Sequence, residues 1–439
     1  MTATIEEFTR WLKLGLGRAV LYLQKHDATP YRDVILDACL HNRAYDTQIE
    51  GGRAMYMFDM ISLTNEKDFY REHILKALAD NSVELDRQVD DLALCFAQQG
   101  DVEARQLLYD HFVENSAKTH LDAGALIKLD GLAGFAFVVH QIGGRVMGDD
   151  DIWEDHYVLG FLEERLGKEN YQTAIAQLSN EGALVKTYVE AIEAYEAQRA
   201  SRQSIQPDVK QASYVDFRTA LLEKQELSRY PVLWGQSASE VDLRQAAEDL
   251  LMEKDRRRLL IYLRIFHKRP FPLAPDYLLK LAQNSDDWVA GRAFGVLSRI
   301  THPTVRALAF RLLDEPAPKW KGQIVELLVR NYHDGDHTVV EELVASLKDD
   351  GERHSLGMDV RDFYEAHPNA ESEARVTKAM YETNPCARCR CGFVSRLVEL
   401  SVLPNWMAEE CAWDSNENTR ELMKDVLLKK TDNQQPLAV

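Results

Sequence analysis

Cysteine is scarce here: six in 439 residues are too few to staple a disulfide scaffold. Cys39 and Cys95 fall in apolar-periodic segments and read as small core residues. No run of about 18 apolar residues occurs, so no membrane-crossing helix is expected. Bases are outnumbered, 52 Lys and Arg against 71 Asp and Glu, for a formal net charge of -19. That balance works against general binding along a nucleic-acid backbone, which needs surplus cations to displace counterions. Met1 to Arg10 carries Glu6 and Glu7 and lacks a basic segment followed by an apolar one, so it is not read as a secretory signal. A reducing cytoplasm with free thiols is the expected setting. Apolar residues make up 45% and long low-complexity tracts are missing, which excludes wholesale disorder.

Period-two alternation is also hard to find, whereas helical periodicity is nearly everywhere. Val83 to Gln99 places Leu85, Val89, Leu92, Cys95 and Phe96 at three- and four-residue steps. Asp101 to Glu114 repeats the pattern with Val102, Leu107, Leu108 and Phe112, and Gly100 is a natural stop between the two. Similar stripes of ten to seventeen residues follow along most of the chain, separated by short polar turns. An all-α fold is expected, with consecutive helices packed as antiparallel pairs to bury so many one-sided stripes.

A boundary is expected where the stripes lapse. Ser201 to Asp208 is polar, with one proline, and suits a linker over 201–213. Charge changes there too: residues 1–200 hold 34 acids and 19 bases, residues 201–439 hold 37 and 33. The expected organisation is an acidic N-terminal helical domain (1–200), the linker, a more regular helical part (214–430) and a flexible tail (431–439).

Aligning helix starts exposes a recurrent pattern. Asp286 to Ala293 and Asp414 to Arg420 each place an arginine, Arg292 or Arg420, six residues after an aspartate. Shorter relatives surround Arg105, Arg244 and Arg306. An aspartate at a helix start accepts backbone N–H groups, contributing about 1 kcal/mol. An arginine one turn later opposes the helix dipole, so it is expected to reach a neighbouring carboxylate or carbonyl. An inter-helix Asp followed by Arg in the next helix resembles the HEAT repeat family, over roughly 240–430 and more weakly over 30–115. The resemblance implies helix pairs stacked as an α-solenoid, with Asp286, Arg292, Asp414 and Arg420 supporting turns between repeats. It identifies an architecture and no activity.

Four cysteines cluster late in the chain: Cys386, Cys389 and Cys391, with Cys411 twenty residues on. A C-x2-C pair is half of a common zinc site, and all four thiolates could hold a structural zinc. On one helix, however, Cys389 and Cys391 would diverge by about 200°. The alternative is a set of free thiols packing the last helices, with Cys386, Cys389 and Cys411 drawn together. A redox role for Cys386 and Cys389, with Arg388 and Arg390 lowering thiol pKa values, is chemically sound but lacks the βαβ context that usually accompanies it.

Other clusters have plainer readings. His333 and His337 share helical spacing, but Gly335 and two aspartates make the segment a turn, with Asp336 as the next helix's cap. His140 reads as a core histidine. The acidic run Asp149 to His156 reads as a solvated helix start, because no calcium-loop spacing fits. Gly131, Gly134, Gly143, Gly144 and Gly148 form no phosphate loop and instead allow close helix packing.

The one strongly basic stretch, Lys254 to Arg269, has seven Lys or Arg against one Asp. Arg257, Arg264 and Lys268, with Tyr262, could line a groove for an anion; the plainer reading pairs its arginines with acids of the next unit. HEAT-like DNA glycosylases use a basic concave face with aromatic and acidic residues to hold alkylated DNA. That resemblance would make Asp287 and Trp288 the acid and the aromatic beside a flipped base. No coherent catalytic set is legible. The leading expectation is therefore a protein-binding scaffold or adaptor that uses a concave surface, with the acidic part favouring a basic partner patch. A toxin is one candidate partner, which would make this a regulator or immunity protein. The nucleic-acid reading stands as the alternative.

Overall fold

A computed structural model describes residues 2–80, 87–115, 123–146, 157–204, 212–224, 230–315 and 320–432. Twenty-seven α-helices occupy them, with no strand among the described residues. The apolar stripes are the buried faces. In the Gln88–Gln98 helix Val89, Leu92, Cys95 and Phe96 are buried, and in the Val102–Asn115 helix Leu108 and Phe112 are. Val102 departs from the expected stripe and is exposed, because it occupies the first turn. Gly100 ends the first of these helices at φ +95°, where its own N–H and that of Asp101 return to the carbonyls of Ala97 and Phe96.

The chain divides into two compact units, each assembled from separate stretches of sequence. The first comprises 1–205, 385–391 and 403–439; the second comprises 206–384 and 392–402. Segments 385–391 and 403–430, expected with the second block, thus group with the first. The expected linker begins inside a helix, since Ala183–Ser204 continues through 201–204. Residues 205–211, Leu85, Gly148, the run Asp149 to His156 and the tail from 433 lie outside the described residues. His140 is exposed on its helix instead of lying in a core.

In the first unit the Ile5–Leu14 helix opens with a reciprocal cap: Thr4 Oγ1 accepts the Glu7 N–H and the Glu7 carboxylate accepts the Thr4 N–H. Helices then pack on the next but one. Ile5–Leu14 meets Arg32–Leu40, which meets Ala54–Leu63, which meets Gln88–Gln98, which meets Ala123–Asp130. A Cβ at Gly134 would lie 2.2 Å from the Leu126 carbonyl oxygen, so two helices touch there through backbone. The late segment seats on the first turns of the chain. Ser415 N–H donates to Gly15 O at 2.9 Å, and Arg18 pairs with Glu410 at 2.9 Å. A side chain at Gly17 would strike the Glu410 carbonyl oxygen at 1.9 Å.

The second unit contains a row of helices, each packed on the next: Tyr230–Ser237, Arg256–Ile265, Asp287–Leu297, Lys321–Arg330 and Asp350–Ala366. Each of the last four also packs on the helix that precedes it in sequence, namely Glu240–Met252, Asp276–Leu281, Pro303–Leu313 and Asp336–Ala345. Side-chain caps start most of these helices, from Ser239, Asp255, Asp286, His302 and Asp349. Asp336 is an exception to expectation. Gly335 takes the cap position, and the Asp336 carboxylate instead receives the His333 N–H and the Arg306 guanidinium.

A recurrent arginine–aspartate contact joins consecutive helix pairs, at a spacing the sequence pattern did not expose. Arg71 binds Asp101, Arg256 binds Asp286 and Arg306 binds Asp336, each across thirty residues, and Arg105 binds Asp130 across twenty-five. The arginine reaches forward to an aspartate near the start of a later helix. Asp286 caps its helix through the N–H groups of Trp288 and Val289, and its cation is Arg256 rather than Arg292. Arg420 does reach Asp414, through the backbone carbonyl at 2.9 Å.

Candidate functional site

Three features carry chemistry among the described residues: one charged face in the second unit, one cavity in the first, and the late cysteines.

The face lies on the helix row of the second unit. Asp287, Trp288, Gly291, Arg292 and Trp320 surround a pocket of about 400 Å³. Trp288 is 66% exposed, unusual for the largest apolar side chain, whereas Trp320 is partly buried against Phe294. Arg292 sits on the pocket wall because it follows Trp288 by four residues, on the same helix face. It makes no hydrogen bond or ion pair among the described residues.

Cations gather beside this pocket. Burial and the charge of Arg292 hold the Arg264 guanidinium below its ordinary pKa, so these two arginines feel one another. His267 is held below its ordinary value by burial, then by Arg292, Arg299, Lys268 and Arg264. The basic stretch therefore divides. Arg256 pairs with Asp286 of the next helix pair, as the plainer reading expected, whereas Arg258 and Arg269 pair with Glu253 and Glu240 at the ends of the preceding helix. Arg264 and Lys268 join Arg292 and Arg299 in a positive field, and Arg257 is exposed near the helix start. Tyr262 lines no groove: it is buried, hydrogen-bonded to Tyr214 and Asp249.

Farther along the row the sign reverses. Ser298, Arg299, Glu326, Arg330, Asp359 and Asp362 line a second cavity of about 310 Å³. Glu326 accepts the Ser298 hydroxyl at 2.8 Å, and burial raises its pKa. Burial, reinforced by Glu326 and Asp362, pushes Asp359 up to about 8, so its carboxyl is mostly protonated at neutral pH and can donate. Its oxygen packs onto the open backbone of Gly322, where a Cβ would stand 2.6 Å away. Trp320, Arg299, Glu326 and Asp359 escaped the sequence reading. Asp359 alone carried a signal, since it occupies a stripe position between Leu356 and Phe363.

In the first unit a cavity of about 490 Å³ is lined by Glu50, Arg53, Asp91, Lys128, Arg388 and Arg420, among others. Behind it lie charges withdrawn from solvent. Arg53 pairs with Glu50 at 3.1 Å and donates to the carbonyls of Leu12 and Lys13. Glu50 also accepts the Ala387 N–H at 2.9 Å. Arg390 and Asp414, both 0% exposed, pair at 3.5 Å. Burial raises the Asp414 pKa against the pull of Arg390, and burial lowers that of Arg53.

The six cysteines are free thiols. Cys39 and Cys95 are buried core residues, as expected, and burial pushes both thiols up, Cys95 to about 12. The four-thiolate zinc site does not form. Cys389 and Cys391 lie on one helix, Ala387–Glu399, two positions apart, and point about 200° from one another. No three of Cys386, Cys389, Cys391 and Cys411 gather at ligand distance among the described residues. Cys386 and Cys389 do meet, with their sulfurs within 4.8 Å. The histidine pair is likewise spent on packing: His337 Nε2 bonds the His367 carbonyl at 2.9 Å and its ring rests on Tyr332 and Phe363.

Comparison with protein-family models, with curated proteins and with solved structures returns no match. No described helix is long and apolar enough to cross a membrane.

Proposed function

We propose that the chain is a HEAT-like helical-repeat scaffold that binds a protein partner through the charged face of its second unit. One observation carries this reading: Trp288 stands exposed beside Trp320 and the unpaired Arg292 at a 400 Å³ pocket. Tryptophan and arginine around a pocket are the usual anchors of a protein interface, where a few such residues supply most of the affinity. The neighbouring charges add direction. A partner segment with an apolar or aromatic side chain for the tryptophans, and an acidic residue for Arg264 and Arg292, matches this end of the face. Glu326 and Asp362 would meet a basic group farther along, and the protonated Asp359 can donate to an acceptor. The surplus acid of residues 1–200 attracts basic partner patches at longer range and makes association salt-sensitive.

The alternative is a nucleic-acid binder of the glycosylase-like kind. The same pocket favours it, because Asp287 and Trp288 stand together beside cations. The acids on the row oppose it, since they repel a phosphate backbone that extends along the face.

A photo-crosslinking residue at position 288, in cells, tests the leading reading. A discrete crosslinked polypeptide is expected, lost with Arg292→Ala and weakened by salt. No crosslinked polypeptide would remove its support. Fluorescence polarisation with duplex and single-stranded DNA at low salt tests the alternative. Binding by the parent that Arg264→Ala/Arg292→Ala abolishes would favour nucleic acid.

A further inference from the structure

Cys386 stands just before the Ala387–Glu399 helix, and its carbonyl accepts the Arg390 N–H at 3.1 Å, which makes it the N-cap residue. Its sulfur lies within 4.8 Å of the Cys389 sulfur, and the backbone N–H groups of Arg388 and Cys389 at the helix start favour its thiolate. Cys389 is the third helical residue, one turn in, on the same side of the helix start. The helix dipole and these donors favour a thiolate at the cap. The Cys389 hydrogen bond, then the backbone donors against burial, bring Cys386 down to about 6, while the shared proton and burial push Cys389 up. Cys39 and Cys95, buried without such a set of donors, go the opposite way. The local geometry of a dithiol centre is thus present without the βαβ setting.

We propose that Cys386 and Cys389 form a redox-active dithiol that closes to a disulfide by exchange with a low-molecular-weight disulfide. Cys389 is the more accessible of the two, since Cys386 is 1% exposed. The Cys389 sulfur attacks the incoming disulfide while its proton passes to Cys386, and the first thiolate leaves. Cys386, having released that proton to the departing thiolate, attacks the Cys389 sulfur and expels the second thiolate, which takes up a proton from water. The two cysteines lose two electrons and one proton, water supplies the second proton, and one disulfide becomes two thiols. Glu50, which holds the Ala387 N–H beside the pair, ties this centre to the Glu50–Arg53 pair at the cavity.

The test treats the purified full chain with oxidised glutathione, alkylates it under denaturing conditions and digests it with trypsin. Cleavage after Arg388 separates the two sulfurs, so the disulfide appears as two linked peptides. Two of the six thiols should become resistant to alkylation in most chains, linked as Cys386–Cys389 and restored by a dithiol reductant. Cys391→Ser should behave as the parent. Cys386→Ser should stop at a mixed disulfide on Cys389, one glutathione per chain. A parent that stays reduced, or stops at that mixed disulfide, would overturn the proposal. So would one zinc per chain in the untreated protein that protects both thiols and is lost with Cys386→Ser, because the pair would then be a metal half-site. The parent's linked peptide is the deciding readout should Cys386→Ser fail to fold.

Discussion

In the first unit Glu50, Arg53, Arg390 and Asp414 are sealed from water, each against a named partner, whereas in the second Arg292, Arg299, Glu326 and Asp359 stand around open cavities. The two arrangements answer to different physics. A buried charge costs several kcal/mol of lost hydration, about 3–5 kcal/mol if its partner is removed, so it is tolerated only where the surroundings hold it in one geometry. A half-exposed charge such as Arg292, with no ion pair among the described residues, keeps its field directed into solvent. Interior charge in the first unit is therefore held in one geometry, whereas charge at the second unit's cavities stays open to solvent.

The strongest way to break this comparison is at the sealed pair. Asp414→Asn leaves Arg390 buried without its anion and should destabilise the protein by about 3–5 kcal/mol in urea unfolding. Adding Arg390→Met should recover part of that loss, because both charges are then gone. A cost under about 1 kcal/mol would place the pair with ordinary surface bridges and erase the contrast.

Acid–base behaviour sharpens it next. Asp359 binds its proton more tightly folded, near 8, than unfolded, near 3.8. Its contribution therefore lowers stability as pH rises from about 4 to about 8. Asp359→Asn should leave Tm nearly unchanged at pH 4 and raise it at pH 8, by about 2–4 °C for each kcal/mol recovered. Asp101 in the first unit has the opposite sign, because the Arg71 guanidinium holds it down to about 2. Its contribution is present above the unfolded value of 3.8 and is lost as pH falls toward 2. Asp101→Asn should lower Tm at pH 7 and have a shrinking effect below pH 4.

The smallest effect belongs to a pair of neither kind. Lys186 and Glu190 are exposed, 3.8 Å apart on one helix. Lys186→Ala should change stability by no more than about 0.5 kcal/mol and lose even that in high salt.

Helix content was legible because apolar spacing reports which face is buried, and Val89, Leu92, Cys95 and Phe96 behave as that spacing requires. Gly100 and the cap at Asp286 were legible for the same reason: both act within a turn of their own position. What depends on distant residues was not. The spacing placed Arg292 six residues after Asp286 with a neighbouring acceptor expected for it, yet the cation that meets Asp286 is Arg256. Tyr262 looked like part of a basic groove because its neighbours are arginines, but its helix turns it inward. Arg390 carried no sign of complete burial, since a charge within a run of cysteines and arginines reads as solvated. At Cys386 the sequence showed the spacing of the thiols but not the backbone donors around one of them.

The contact of Gly15, Gly17 and Arg18 with Glu410 and Ser415 has a consequence in time. During synthesis the surface around Gly17 emerges early, while the backbone that covers it arrives nearly four hundred residues later. At about 5–20 residues per second the wait is on the order of 20–80 s. The first unit can collapse during that interval but cannot close, so the surface around Gly17 remains exposed to chaperones and proteases until the turns around Glu410 have left the ribosome.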